Sequence, residues 1–436
     1  MPLGLSSPPL LSLLFIVKVA CFIYSLLWVI ALKIRATVRR VTAGGGDDGC
    51  HVIVIVGGGF AATTVATVAQ FWPESRVKVL LFSAHDYFEF TPSVARALVC
   101  PPTAHEIRVP LRSVLASRVD VRYGLVRHVK LEAKSGATLP HDAVVTVQPD
   151  LSDKELVREV RVSEVVPTVG AVSVVLAMGS HYPSPFKSDG TETRIIRSDE
   201  LSSRASDLRA SESTVVVGGG LVGIEAAAEL AQQYPQHTIN LYSASDRLGA
   251  RLPPAASAHA LACLQDLGVT VHLGERLSAG QLPRFRSALL ATGAVPNLNV
   301  VVDGPGVPEH LRELTGDRHT DGVIVADTLY AGGGVFAAGD CCALQGERLA
   351  QNAELAAEVL AANLDHLIGG GTFPLPHHYV DGADRIIVVS LGTEDGIALY
   401  GSWWTKGRIP ALLKHSVQAW KLSWFVALQA TVDWFV

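Results

Sequence analysis

The chain has 436 residues, 49% of them hydrophobic and 18% charged, too many for one small core and enough for two or three domains. Its formal net charge of −5, from 36 basic and 41 acidic residues, gives no general attraction to nucleic acid, which is excluded as a partner. The six cysteines (21, 50, 100, 263, 341 and 342) show neither a C-x-x-C pattern nor the density of a secreted framework, so no metal is expected from their spacing and the thiols are read as reduced.

The first predicted element runs from Leu10 to Leu32, a stretch of 23 residues whose only charge is Lys18. As a helix about 34 Å long it would cross a bilayer. Lys33, Arg35, Arg39 and Arg40 follow at once and no acidic residue precedes Asp47. That asymmetry places the body of the protein on the cytosolic side of a membrane; a cleaved signal peptide and a mitochondrial targeting segment are the alternatives. Residues 42–49, TAGGGDDG, read as a flexible linker.

Next comes HVIVIVGGGFAATTVATVAQ, an apolar strand over Val52–Val56, a glycine turn and an Ala/Val-rich helix. Gly57, Gly59 and Ala62 satisfy G-x-G-x-x-G/A. The first glycine makes the tight turn, the second lets backbone approach a pyrophosphate at the helix N-terminus, and the third position is small so that helix and strand can pack. The following strand ends at Ser83, where an acid for the ribose hydroxyls is usual. The arrangement repeats 161 residues later in TVVVGGGLVGIEAAAEL, with Gly218, Gly220 and Gly223, and its following strand ends at Ser243. Two such units point to one protein that binds two dinucleotides. Each half then carries a strand and a turn, Ala177-Met178-Gly179-Ser180 in the first and Ala291-Thr292-Gly293 in the second. Finally GGVFAAGDCCAL places a short strand before Gly339-Asp340.

This ordered set, over roughly residues 50–370, resembles the two-dinucleotide-domain flavoprotein reductases of the pyridine nucleotide-disulfide oxidoreductase superfamily. The resemblance implies an α/β protein in which two Rossmann-like domains are interleaved, the NAD domain nested in the FAD domain. Its divisions would be an anchor and linker over 1–49, FAD-binding segments over 50–185 and 301–370, an NAD(P)H-binding domain over 186–300, and a small C-terminal α+β region over 371–436 with a hairpin and an amphipathic helix. Asp340, after Gly339, matches the family aspartate that bonds the ribityl and pyrophosphate region of FAD. Ala350 and Gln351 would begin the helix near the flavin. Glu225 matches a family glutamate near the nicotinamide, or is a helix-surface carboxylate. Arg247, with Asp246, lies just past Ser243; with no carboxylate at Ser243 to repel a 2′-phosphate, either NADH or NADPH fits.

The helix after the first fingerprint has no C-x4-C pair, so a dithiol mechanism is not expected. HDYFEFTPSVARAL is similar to a stretch of type II NADH:quinone reductases, and VVSLGTEDGIALYG to the ferroptosis-suppressor, or apoptosis-inducing-factor-homologous, group. Only 15 residues separate Glu275 from Ala291, too few for the three-stranded meander that the superfamily carries there. Five of the seven tryptophans lie in the last 34 residues, and Leu413, Val417, Trp420, Trp424 and Leu428 follow helical spacing opposite Lys414, Gln418 and Lys421. That pattern predicts a helix lying in a membrane surface, basic side to the headgroups, or one closing against the FAD domain. The expected activity is hydride transfer from NAD(P)H to FAD and electron transfer to a membrane quinone. A reductase of a soluble electron carrier, and a flavin-bound signalling or interaction factor with weak turnover, are the alternatives. His85, His377 and His378 are the histidines open to proton transfer, or are solvated loop residues.

Overall fold

The computed structural model describes residue 34 and residues 49–422, except 70, 116, 151–152, 154–155, 189–192, 313–321, 381–385, 415 and 419–420. The apolar run over Leu10–Leu32 therefore lies outside the described residues, as do Trp420, Trp424, Leu428 and Trp434. Among the described residues, no helix is long and apolar enough to cross a membrane.

In chain order the first unit contains β1 (Cys50–Val56), α1 (Phe60–Ala69), β2 (Val77–Ser83), β3 (Val119–Tyr123), β4 (Leu125–Glu132), β5 (Asp142–Gln148), β6 (Arg158–Arg161) and β7 (Val169–Leu176). The second contains α2 (Arg194–Ala210), β8 (Ser213–Val217), α3 (Leu221–Gln233), β9 (Thr238–Ser243), α4 (Pro254–Asp266), β10 (Thr270–Leu273) and β11 (Ser287–Leu290). The chain then returns through β12 (Val301–Asp303), β13 (Tyr330–Gly332), β14 (Val335–Ala337) and α5 (Ala350–Ile368), and ends in β15 (Ile386–Ser390), β16 (Gly396–Tyr400) and β17 (Trp403–Lys406).

A six-stranded sheet ordered β13-β14-β7-β1-β2-β3 forms the centre of the first unit. β1 runs parallel to both β2 and β7. It is buried along its whole length, so its near-continuous apolar sequence is what a parallel strand covered on both faces requires. Ile53 and Ile55 point to the side of α1 and α5, whereas Val52, Val54 and Val56 join the core shared with β4 and β5. Each fully buried Val or Ile side chain contributes about 1.5–3 kcal/mol relative to exposure. The second face is covered by a four-stranded sheet ordered β12-β4-β5-β6. In that sheet β12, which follows the second unit, pairs with β4 of the first.

The second unit is a parallel sheet ordered β10-β9-β8-β11. Between β10 and β11 the chain forms a 3-10 helix over Ala279–Arg284 and no strand. The two units match bond for bond. The Gly57 N–H donates to Phe82 at 2.8 Å, and the Gly218 N–H donates to Tyr242 at 2.8 Å. The Ala177 N–H donates to Val56 at 2.9 Å, and the Ala291 N–H donates to Val217 at 2.7 Å.

The antiparallel hairpin β15-β16-β17 packs on α3. Gln232 of α3 accepts from the Thr393 N–H at 2.7 Å and donates to the Thr393 hydroxyl at 2.9 Å. A final helix over 408–414 and 416–418 follows. Its described part corrects the headgroup-facing expectation for two lysines. Lys414 pairs with Glu225 and Lys421 with Glu354, while Ala411 and Leu412 are buried and Val417 packs on the main core. An amphipathic pattern records that one face is apolar; whether protein or lipid covers that face is settled by the neighbours the fold supplies.

Candidate active site

The C-terminal ends of β1, β2 and β7 open into a cavity of about 1360 Å³ that runs on to α3, the hairpin and the last helix. Gly57 sits at its floor with φ +132°, and a Cβ there would lie 2.1 Å from the Ala177 carbonyl oxygen. Only glycine allows that crossing of the turn and the returning strand. Gly59 has no protein atom within 4 Å of its missing Cβ and faces the cavity, so its side of the turn is free for a ligand. α1 begins at Phe60, directly behind this turn, and its first amides have no partners within the helix, which makes the spot an anion cradle. Ala62, fully buried beneath it, is the small residue that lets α1 sit close.

Asp340 lies across the cavity, just after Gly339, whose φ of +83° and closeness to Ala61 and Ala353 wedge it between α1 and α5. The Asp340 carboxylate accepts from the Ser180 hydroxyl at 2.7 Å and from Lys187 Nζ at 3.3 Å, and Lys187 also donates to Ser180 at 2.6 Å. Ala350 and Gln351, at the start of α5, line the same cavity. Ser83 lines it too, but at 1% exposure its hydroxyl is held by its own turn, donating to the His85 carbonyl at 2.7 Å and accepting from the His85 N–H at 3.1 Å.

At the far end Glu225 enters from the second fingerprint helix, α3. It is 7% exposed and accepts from Lys414 Nζ at 2.6 Å and from the Ser390 N–H at 2.9 Å. It is therefore a buried, paired carboxylate and not a helix-surface one. One turn further along α3, Glu229 is buried and accepts from Arg96 at 2.6 Å. Burial pushes the Glu229 carboxyl up against the opposing pull of Arg96. Arg96 belongs to the HDYFEFTPSVARAL stretch, of which Tyr87, Glu89, Phe90, Thr91 and Pro92 wall the cavity. Lys187, Ser180, Lys414 and Arg96 carry no local motif that names them. His85 reaches the cavity wall, while His378 pairs with Asp327 and the His377 backbone is bonded by Asn363.

The remaining predicted residues form the second turn, apart from this cavity. Gly218 has φ +121°, and a Cβ there would meet Ala291 oxygen at 2.0 Å. Gly223 packs against Gly218, Gly220 is open, and Gly293 has φ +109°. Ser243 and Arg247 do not project from this turn as the sequence reading expects. The buried Ser243 hydroxyl accepts from the Ser245 N–H at 3.2 Å, and Arg247 donates to the carbonyls of Leu252 and Ala250. The cause is the close approach of Gly219, whose added Cβ would lie 2.4 Å from Ser243 Oγ, leaving room for a hydroxyl and little more. Cys341 and Cys342 are free, buried thiols in the core on the β4–β5 side, with Cys341 donating to the Leu176 carbonyl at 3.4 Å.

The sequence profile described as pyridine nucleotide-disulphide oxidoreductase matches residues 51–357. The chain belongs to that family. Its family cofactors are FAD and a nicotinamide dinucleotide, and the two glycine cradles fit them: each turn has one glycine locked by a carbonyl and one open to a ligand. This family member is similar to ferroptosis suppressor protein 1 of Mus musculus, 26% identical over 256 or so positions that make up 56% of this chain and 68% of the relative. It is 24% identical to the Xenopus laevis protein of that name, a match spanning 53% of this chain and 65% of the relative. Among solved structures, NDH2 from Plasmodium falciparum in complex with NADH aligns with a TM-score of 0.61 at 13% identity, over 88% of this chain and 98% of that one. The sulfide:quinone oxidoreductase of Aquifex aeolicus aligns with a TM-score of 0.60 at 15% identity, over 89% of this chain and 95% of that one. These structural likenesses concern the fold.

Proposed function

We propose that this protein is an FAD-dependent NAD(P)H oxidoreductase that delivers electrons to a membrane quinone without a redox-active dithiol. The observation that carries this reading is the continuity of the cavity, which leads from the Gly57–Gly59 cradle past Asp340 to a mouth at Glu225, Lys414, Leu413 and Val417. Residues 50–185 and 301–370 would form the FAD-binding domain, and 186–300 the NAD(P)H-binding domain. Bound FAD would supply the two-electron chemistry between the nicotinamide and the acceptor.

The chain's own residues do the rest. Gly57, Gly59 and the first amides of α1 hold a pyrophosphate, with Asp340 holding the polyol hydroxyls beyond it. Gly218, Gly220 and the start of α3 hold the second pyrophosphate; with Ser243 in place of an acid, a 2′-phosphate is not repelled. Ile387, Val388, Leu413 and Val417 exclude water from the mouth. There Lys414 Nζ can donate a proton to a reduced quinone oxygen while Glu225 holds the compensating charge, a pairing set by their 2.6 Å contact. The Leu10–Leu32 run would anchor this mouth at the bilayer where quinones dissolve, with the body facing the cytosol; a mitochondrial location is the alternative.

The test is anaerobic stopped-flow of the full-length flavoprotein with NADH or NADPH, followed by mixing with a short-chain quinone. Rapid, saturable bleaching and reoxidation by the quinone are expected. Bound flavin that neither nucleotide reduces would overturn the reading in favour of an interaction factor. Reoxidation by a soluble carrier protein but not by quinones would move the acceptor away from the membrane.

A further inference from the structure

Outside this cavity the fold gathers three metal-ligating side chains that no sequence motif announces. His259 and Cys263 lie four residues apart on α4 and so share a helix face. Asp395, from the turn between β15 and β16, comes down on that face. His259 Nε2 lies 3.4 Å from Cys263 Sγ and 3.1 Å from Asp395 Oδ2, and Cys263 Sγ lies 3.2 Å from Asp395 Oδ2. A tetrahedral zinc with bonds of about 2.0 Å to nitrogen and oxygen and about 2.3 Å to sulfur needs ligand separations of about 3.3–3.5 Å. The triangle is thus already within a few tenths of an ångström of the required size.

The carboxylate is also held from behind. Asp395 Oδ1 accepts from the Gly396 N–H at 2.7 Å and the Gly407 N–H at 2.8 Å, which fixes Oδ2 toward the other two groups. The His259 and Asp395 side chains are 14% and 30% exposed, buried enough to be ordered and open enough for an ion to enter. Among the described residues no fourth His, Cys, Asp or Glu joins the group, so a water would complete the tetrahedron.

We propose that His259, Cys263 and Asp395 form a binding site for a zinc-class divalent ion. The mixed nitrogen, sulfur and oxygen donor set favours such an ion over magnesium or calcium, which take oxygen ligands. Binding replaces the Cys263 S–H proton with a metal–sulfur bond and releases that proton to solvent. The ion ties α4 to the hairpin that carries Ser390 onto Glu225, so it fastens the second dinucleotide unit to the C-terminal region. The inference stands independently of the proposed activity.

The test is titration of the chelator-treated, flavin-loaded full chain with cobalt(II) alone and then with zinc(II). Expected are one cobalt per chain, intense tetrahedral ligand-field bands at wavelengths beyond the oxidised flavin's absorption, displacement by zinc, and a melting temperature that rises with zinc concentration. Cys263→Ser and His259→Ala should each lose the bands while keeping the flavin spectrum. Wild-type protein that shows no tetrahedral bands would overturn the proposal, as would bands unchanged in both variants. Should a variant fail to keep its flavin, the wild-type titration decides alone.

Discussion

Glu225 and Lys414 are 189 positions apart in the chain and 2.6 Å apart in the fold. The carboxylate is buried, so Lys414→Met removes its main partner and exposes the cost of an unpaired internal charge, about 3–5 kcal/mol when a buried pair is broken. Ser390 still donates two hydrogen bonds to it, which places the loss at the lower end. If Lys414 delivers the proton, the same variant lowers quinone turnover by about 100-fold, the lower end for a positioned general acid. Flavin bleaching by NADH should change little. Steady-state turnover, single-turnover bleaching and thermal melting on one preparation separate these effects. Equal loss in both half-reactions would make Lys414 a positioning residue only.

The two glycine turns give a matched experiment on the strand–turn–helix elements. Gly59 and Gly220 have no protein atom within 4 Å of an added Cβ, and Gly220 has an extended backbone with φ −76° and ψ 179°. Valine at either site therefore collides with a ligand and not with the protein. Gly59→Val should purify folded but without flavin. Gly220→Val should keep its flavin and raise the KM for NADH at least about tenfold, a loss of about 1.4 kcal/mol. A Gly59→Val protein that retains flavin would disconnect the first cradle from FAD. These turns were legible in the sequence because their constraints are local: φ values above +120° at Gly57 and Gly218 admit no other residue comfortably. The last helix was less legible. Its apolar stripe was plain, but Leu413 and Val417 line the cavity and Lys421 pairs with Glu354, contacts that depend on where α3 and α5 bring their side chains.

For the molecule as a whole, acid stability turns on His51 in β1, at the middle of the six-stranded sheet. Its Nε2 lies 3.0 Å from Ser173 Oγ, and burial lowers its pKa from 6.5 to about 4. Between those values the unfolded chain binds a proton that the folded chain does not, so stability is full above 6.5 and falls as the pH drops toward 4. The span corresponds to about 3 kcal/mol at most. His51→Gln should flatten the pH dependence of urea unfolding across that window. Parallel slopes for the two proteins would show that other groups govern acid unfolding.

The sequence by itself determined the two dinucleotide turns, the Gly339-Asp340 marker and the family, because each rests on residues within one strand–turn–helix unit or one short peptide. Tertiary structure alone decided which groups meet. It spent Ser83, Ser243 and Arg247 within their own loops, joined Lys414 to Glu225, and brought Asp395 to His259 and Cys263. The physical reason is that a glycine's backbone conformation is a property of its own turn. A buried carboxylate's partner is whatever cation the packing of distant elements delivers within hydrogen-bond reach.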